Sequence, residues 1–278
     1  MEIYQINAFT KNGQGGNPAG VVLGTKTLDR NAMLEITRKL GYSETAFVFD
    51  SSLADYKVRF FTTVEEIDLC GHATIATFNL LRDLDYIQSG LITQETRAGI
   101  LEIVIKDDYV LMQQNKPIFS EKLTHDEIQN AFENTLPGSK LNKPIQIVST
   151  GIREIFLPMN DIQALNELQP NYEIMTSLSE KYEVAGLHAF TENTSENCDA
   201  ICRNFAPRYG IKEEAATGTA NGALACYLNK YSEDPKQNYK FEQGYMLERP
   251  SEIMVKLKLK ENQVQNVYVG GSAVQIDS

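Results

Sequence analysis

The chain has no Cys-x-x-Cys pair and no cluster of histidines beside a cysteine. Its four cysteines, Cys70, Cys198, Cys202 and Cys226, are scattered, which argues against a zinc cage or a disulfide framework. Reduced thiols, a cytoplasmic location and no metal are the expectation. There is no run of lysines or arginines, and a formal net charge of -11 opposes attraction to a phosphate backbone, so no nucleic-acid partner is expected. No apolar run approaches the roughly 20 residues that span a bilayer, so no membrane partner is expected either. Met1 to Ile6 lacks a basic segment followed by an apolar one, and no secretory signal is expected. The glycines at 13, 15 and 16 are not followed by Gly-Lys-Ser or Gly-Lys-Thr, which excludes a P-loop.

What is present centres on Leu69-Cys70-Gly71-His72-Ala73-Thr74-Ile75-Ala76-Thr77. A glycine and a histidine open a helix that is apolar nearly all round, the mark of burial on most sides. The first turn of such a helix has unpaired N–H groups and a partial positive charge suited to a carboxylate. His72 could add a hydrogen bond to that anion or only cap its own helix. A weaker copy, Thr217-Gly218-Thr219-Ala220-Asn221-Gly222-Ala223, suggests an enzyme of two halves with its site between them.

Ile3 to Phe9 alternates as a strand, Gly13 to Gly20 reads as a loop, and Val21-Val22-Leu23 as a second strand. The loop is either a plain hairpin connection or a substrate-facing segment. Asp29 to Leu40 has helical periodicity and stops at Gly41. Glu44 then stands just before the apolar Ala46-Phe47-Val48-Phe49, a poor place for a carboxylate that serves only solubility. Tyr56 to Thr62 is a strand, residues 91 to 112 alternate around a turn at Asp107-Asp108, and Thr124 to Phe132 is a short helix. The polar segment from 113 to 144, with Pro137-Gly138, reads as a connector between domains. Beyond it, Ala189-Phe190, Arg203-Asn204-Phe205 and Gly218-Thr219-Ala220 repeat the order of Ala46-Phe47, Arg59-Phe60-Phe61 and Gly71-His72-Ala73, which suggests an internal duplication. Glu213 and Glu214 precede the second helix, where first-turn charge complementation and a substrate-facing role are both open.

Five stretches in this order resemble the PhzF-like family of phenazine-biosynthesis isomerases: Gly16-Asn17-Pro18-Ala19-Gly20-Val21, Ser43-Glu44-Thr45-Ala46-Phe47, Arg59-Phe60-Phe61-Thr62 through Cys70-Gly71-His72-Ala73-Thr74, Ala216-Thr217-Gly218-Thr219-Ala220, and Val269-Gly270-Gly271-Ser272-Ala273-Val274. The resemblance covers nearly the whole chain. It implies an α+β, diaminopimelate epimerase-like fold of two pseudo-symmetric domains, each a curved sheet around a central helix. Residues 1–115, completed by a C-terminal strand within 265–278, form one domain and 116–264 the other. It also implies a homodimer that needs no cofactor and acts on a small acidic substrate.

By the same resemblance Glu44 matches the family's general acid/base and His72 a histidine that contacts substrate or shuttles protons. Glu214 falls on a family aspartate, Ala215 on a proline and Thr219 on a serine. Asn17, Gly71, His72, Gly218 and Thr219 become the substrate-binding positions. The implied reaction moves a proton between carbons, for which burial beside an apolar strand is expected to raise the Glu44 carboxyl. Two rivals stand beside it. A two-base epimerase or racemase would pair Cys70 with a second cysteine, but that position is Thr217, and Cys70 is read as a packing residue. A non-catalytic small-molecule binding protein of the same fold is the other.

Overall fold

The computed structural model describes residues 1–134, 136, 143–194 and 197–276, so the Pro137-Gly138 connector and the last two residues of 265–278 lie outside the described residues. The chain divides into two compact units, residues 1–113 with 270–278 and residues 114–269.

In unit 1, β1 (Glu2–Ala8) and β2 (Asn17–Leu23) form an antiparallel hairpin in which Ala8 pairs with Asn17. Asn17 to Gly20 are thus strand rather than loop, because Asn17 already opens the ladder. Gly16 has φ +83, and a Cβ there would lie 2.5 Å from the Ala8 carbonyl oxygen, so the turn itself demands glycine. Helix α1 (Arg30–Leu40) is capped by Asp29, whose Oδ1 accepts from the Ala32 N–H at 2.8 Å, and ends at the left-handed Gly41. It buries Met33 and Leu34 against Val22, Phe47 and Phe61 on one face of the sheet. β3 (Glu44–Phe49) runs parallel to β2 and antiparallel to β4 (Tyr56–Thr62), which pairs with the short β5 (Glu66–Ile67).

The central helix α2 (Gly71–Asp83) buries every residue from Ala73 to Leu81. Its two threonines are satisfied from within: Thr74 and Thr77 hydroxyls donate to the Cys70 and Ala73 carbonyls at 2.8 and 2.7 Å. Asn79 donates to Ile75 O and to Gly271 O. β6 (Gly90–Thr96), β7 (Gly99–Ile105) and β8 (Val110–Gln114) continue as an antiparallel meander.

Unit 2 repeats the plan. It contains β9 (Ile118–Leu123), α3 (His125–Gln129), β10 (Ile145–Ser149), β11 (Arg153–Pro158), α4 (Ile162–Asn166), α5 (Tyr172–Lys181), β12 (Leu187–Thr191), β13 (Ala200–Ala206) and β14 (Ile211–Glu214). The central helix α6 (Gly218–Tyr231), β15 (Asn238–Gln243), β16 (Ser251–Lys260) and β17 (Gln263–Gly271) follow. β11 and β12 are parallel, β12 and β13 antiparallel, as in β2, β3 and β4. One face of this sheet packs Ile155, Leu157, Leu187, Ala189 and Phe205 with α3, α4 and α5 in a single apolar cluster. The other face meets α6, where the Tyr227 ring stacks on Phe156. Finally β18 (Ala273–Gln275) adds antiparallel to β1, with Ala273 opposite Ala8.

Both units carry the same clamp. Arg59 donates to both oxygens of Glu66 at 2.7 and 2.8 Å and lies over the Phe61 ring. Arg203 does the same to Glu213 at 2.9 and 2.8 Å and lies over Phe205. The clamps correct the sequence echo by one residue. Arg59 lies opposite Phe47 but Arg203 opposite Ala189, so Phe47 corresponds to Ala189 and not to Phe190. The connection from β12 to β13 differs in length from that between β3 and β4, which hides the true register. Among the described residues no helix is long and apolar enough to cross a membrane.

Candidate active site

The two central helices differ from the others at their starts. α1, α4 and α5 are capped by the side chains of Asp29, Asp161 and Asn171, and α3 has a capping box between Thr124 and Glu127. α2 and α6 begin after extended Cys70 and Thr217, neither of which caps its helix with a side chain. Their first-turn N–H groups are therefore offered outward at the positive end of the helix dipole. At Gly71 a Cβ would meet only Met112 Cε at 3.7 Å, so internal packing does not demand the glycine.

Glu44 reaches the start of α2 because β3 begins immediately after the left-handed Gly41 has stopped α1. His72 Nε2 lies 3.2 Å from Glu44 Oε2, with the two side chains 10% and 20% exposed. The approach is off the line of a directed hydrogen bond, and neither atom has another partner. On the other edge of the ring, His72 Nδ1 is 3.5 Å from Cys70 Sγ. Burial works against the His72 cation, but Cys70 and then Glu44 overcome it and raise the imidazole well above 6.5. For Glu44, burial pushes the carboxyl up, but His72 and the hydrogen bond from Ser43 outweigh it and hold the group below its ordinary value.

Two sequence expectations are thereby corrected. The Glu44 carboxyl is lowered rather than raised, because the imidazole beside it repays the cost of burying its charge. Cys70 is buried, but its thiol is a polar neighbour of His72 rather than mere packing. No metal-binding group was expected, yet Glu44, Cys70 and His72 place one ligand atom each within 4.8 Å of one another. Cys70 approaches Nδ1 and Glu44 approaches Nε2, so the ring separates them. The three form a chain of contacts rather than a closed coordination shell. Asn17 is half-buried at the start of β2, the parallel neighbour of β3.

Glu214, Gly218 and Thr219 belong to unit 2. Glu214 Oε2 accepts from Thr217 Oγ1 at 2.8 Å, and Gln243 Nε2 donates to Thr217 Oγ1 and to the Glu214 carbonyl. Asn221 of α6 donates to Gln243 Oε1 and to the Thr217 carbonyl, which fixes the helix start against β15. The Thr219 carbonyl accepts from Thr150 Oγ1 at 3.1 Å.

Sequence reasoning missed a row of buried polar groups behind Glu214. His188, Asn204 and Glu214 are direct cross-strand neighbours on β12, β13 and β14. Glu154 of β11 is 3% exposed, and its Oε2 accepts from Asn204 Nδ2 at 2.6 Å. That amide also lies 3.1 Å from His188 Nδ1. Burial, then the charge of Glu214, pushes Glu154 up to about 8 against the opposing Asn204 hydrogen bond. Burial pushes His188 down to about 3, so its imidazole is neutral.

The family model of the phenazine biosynthesis-like proteins (PhzC-PhzF) matches residues 6–278. An uncharacterized isomerase of Clostridium acetobutylicum is 36% identical, the match covering 99% of this chain and 95% of that one. A crystal structure of the Bacillus anthracis phenazine biosynthesis protein of the PhzF family superposes with a TM-score of 0.89 at 28% identity, covering 100% and 98%. A hydroxyproline epimerase of Agrobacterium vitis superposes with a TM-score of 0.61 at 11% identity over 99% and 88%, a likeness of fold alone. The architecture is α+β and diaminopimelate epimerase-like. The chain belongs to the phenazine biosynthesis-like protein family, and it is an isomerase.

Proposed function

We propose that the chain moves a proton between carbons of a small carboxylate-bearing molecule, without a cofactor, with Glu44 as the general acid/base. The contact between Glu44 Oε2 and His72 Nε2 carries this reading: two buried, poorly directed polar atoms beside an uncapped helix start. With Glu44 below and His72 above their ordinary values, the pair is ionised at neutral pH. Glu44 is then a base in its active form and His72 an acid.

In a substrate whose carboxylate is conjugated with a C=C bond, Glu44 takes a proton from the allylic carbon, the freed pair becomes the new C=C bond, and the old C=C pair moves toward the carboxylate as a dienolate. The Gly71 N–H groups and the His72 cation meet the developing charge. Glu44, now protonated, or His72 returns a proton at the second carbon, which restores the charge balance. Asn17, Gly218 and Thr219 bind substrate, and Glu214 serves as its further acid/base. The two-cysteine alternative is disfavoured because Thr217 stands in the second position, its hydroxyl donating to Glu214. A cytoplasmic homodimer completes the proposal, with the dimer tested by sedimentation.

The test is incubation with cyclic and amino-substituted carboxylic acids in deuterated water. Deuterium appearing at carbon, and lost in Glu44→Gln, supports the assignment. Full turnover by Glu44→Gln overturns it, and tight binding without exchange would favour a binding protein.

A further inference from the structure

Away from Glu44 and His72, the largest cluster of polar side chains described above is the buried row on unit 2. We propose that Glu154 is a positioning residue for Glu214, holding a proton inside the sheet so that the two carboxyls together carry one negative charge, placed on Glu214. The inference rests on the reading of Glu214 as a residue of the site.

Geometry carries it first. Glu154, Phe156, His188, Asn204 and Glu214 share one face of the sheet, since Phe156 registers with His188, His188 with Asn204 and Asn204 with Glu214. Asn204 is thus hydrogen-bonded to Glu154 and directly across from Glu214. Among the described residues no cation is a partner of Glu154. The nearby Arg203 is on the opposite face, spent on Glu213 and on the Leu165, Asn166 and Leu168 carbonyls. Two neighbouring carboxyls without a shared cation do not both ionise at neutral pH.

The other fully buried titratable groups of the row and of α6 stay neutral. They are His188 of β12, Cys202 of β13, and Cys226 and Tyr227 of α6. Burial lowers His188 and raises both thiols and the phenol. The pair's one proton therefore sits on the wholly buried Glu154, while Glu214 accepts from Thr217 as a carboxylate. Ionising Glu154 near pH 8 releases the pair's one proton to solvent and sets a second negative charge beside the Glu214 carboxylate.

The experiment is carbon-13 NMR titration of the full chain grown with carboxyl-labelled glutamate, with Glu154→Gln and Glu214→Gln for assignment. The expected result is a Glu154 midpoint near pH 8 and a second inflection there in the Glu214 resonance. That inflection vanishes in Glu154→Gln, and the Glu154 midpoint falls by about one unit in Glu214→Gln, a shift that a merely structural role would not produce. A Glu154 midpoint in the ordinary carboxylate range, or a Glu214 inflection that persists in Glu154→Gln, overturns the inference. Should Glu154→Gln not fold, the Glu214→Gln shift decides. Because the titration needs no substrate, its failure is separate from failure of the deuterium-exchange test.

Discussion

Matched rows of the two sheets have the same register and opposite chemistry. In unit 1 the row facing the central helix is Val21, Ala46, Phe60 and Ile67, and two residues back on β2 stands Ala19. In unit 2 the corresponding row is Phe156, His188, Asn204 and Glu214, with Glu154 two residues back on β11. One scaffold is closed by dispersion and apolar burial alone, the other by hydrogen bonds and a shared proton. In unit 1 the ionised pair instead sits at the strand start, on Glu44 and His72. At the place of Glu44, unit 2 has Gly186, where a Cβ would lie 1.8 Å from the Phe205 carbonyl oxygen and no carboxylate could be mounted. Duplicated architecture thus leaves the charge at the edge of one unit and in the middle of the other.

The comparison breaks most severely at Glu44. Glu44→Gln should lower solvent-deuterium exchange by about two to four orders of magnitude. Glu154→Gln should retain exchange at neutral pH. Next come the clamps. Arg203 and Glu213 are both 8% exposed, whereas Arg59 is 26% exposed. Arg203→Leu leaves a buried carboxylate unpaired and should cost about 3–5 kcal/mol in denaturant unfolding, with Arg59→Leu distinctly milder.

A pH-dependent effect is expected from Glu154→Gln. A carboxyl raised from 4.5 to about 8 in the folded chain contributes stability that is full below pH 4.5 and is lost as pH rises through 8. The wild type should therefore weaken across that window by about 1.4 kcal/mol per unit at most, and Glu154→Gln should flatten the slope in thermal unfolding. His72 has the same sign: its contribution is full below 6.5 and is lost as pH rises through its higher folded value. Cys70→Ser should be the least disruptive, shifting the alkaline limb of exchange downward by less than about one pH unit while the fold is kept.

How much was legible follows from the range of each interaction. Asp29, Gly41, Gly71 and the apolar run behind it act within a turn or two of helix, so α1 and α2 could be read locally. Glu44 is visible as a carboxylate at the mouth of an apolar strand, but position alone does not single it out, and its role rests on the family resemblance. Glu154, His188 and Asn204 are not visible even in that way, because each sits in a short strand that is buried throughout or nearly so, and their meeting depends on register across three strands. The part Cys70 plays is not legible in the sequence, because it depends on where the first turn of α2 turns the His72 ring. The sign of the Glu44 shift is hidden for the same reason: burial can be read from a strand, but a neighbouring imidazole cannot.

The pairing of β18 with β1 has a consequence for assembly. Until Ala273 to Gln275 have been made, β1 pairs only with β2 and exposes its other edge, and the Asn79 amide lacks its Gly271 acceptor. β1 thus waits for a strand made only after the whole of unit 2, a costly kind of contact order, with an unpaired edge open to other chains in the meantime. Loss of residues 270–276 should accordingly be felt as slow, aggregation-prone maturation of the opening hundred residues.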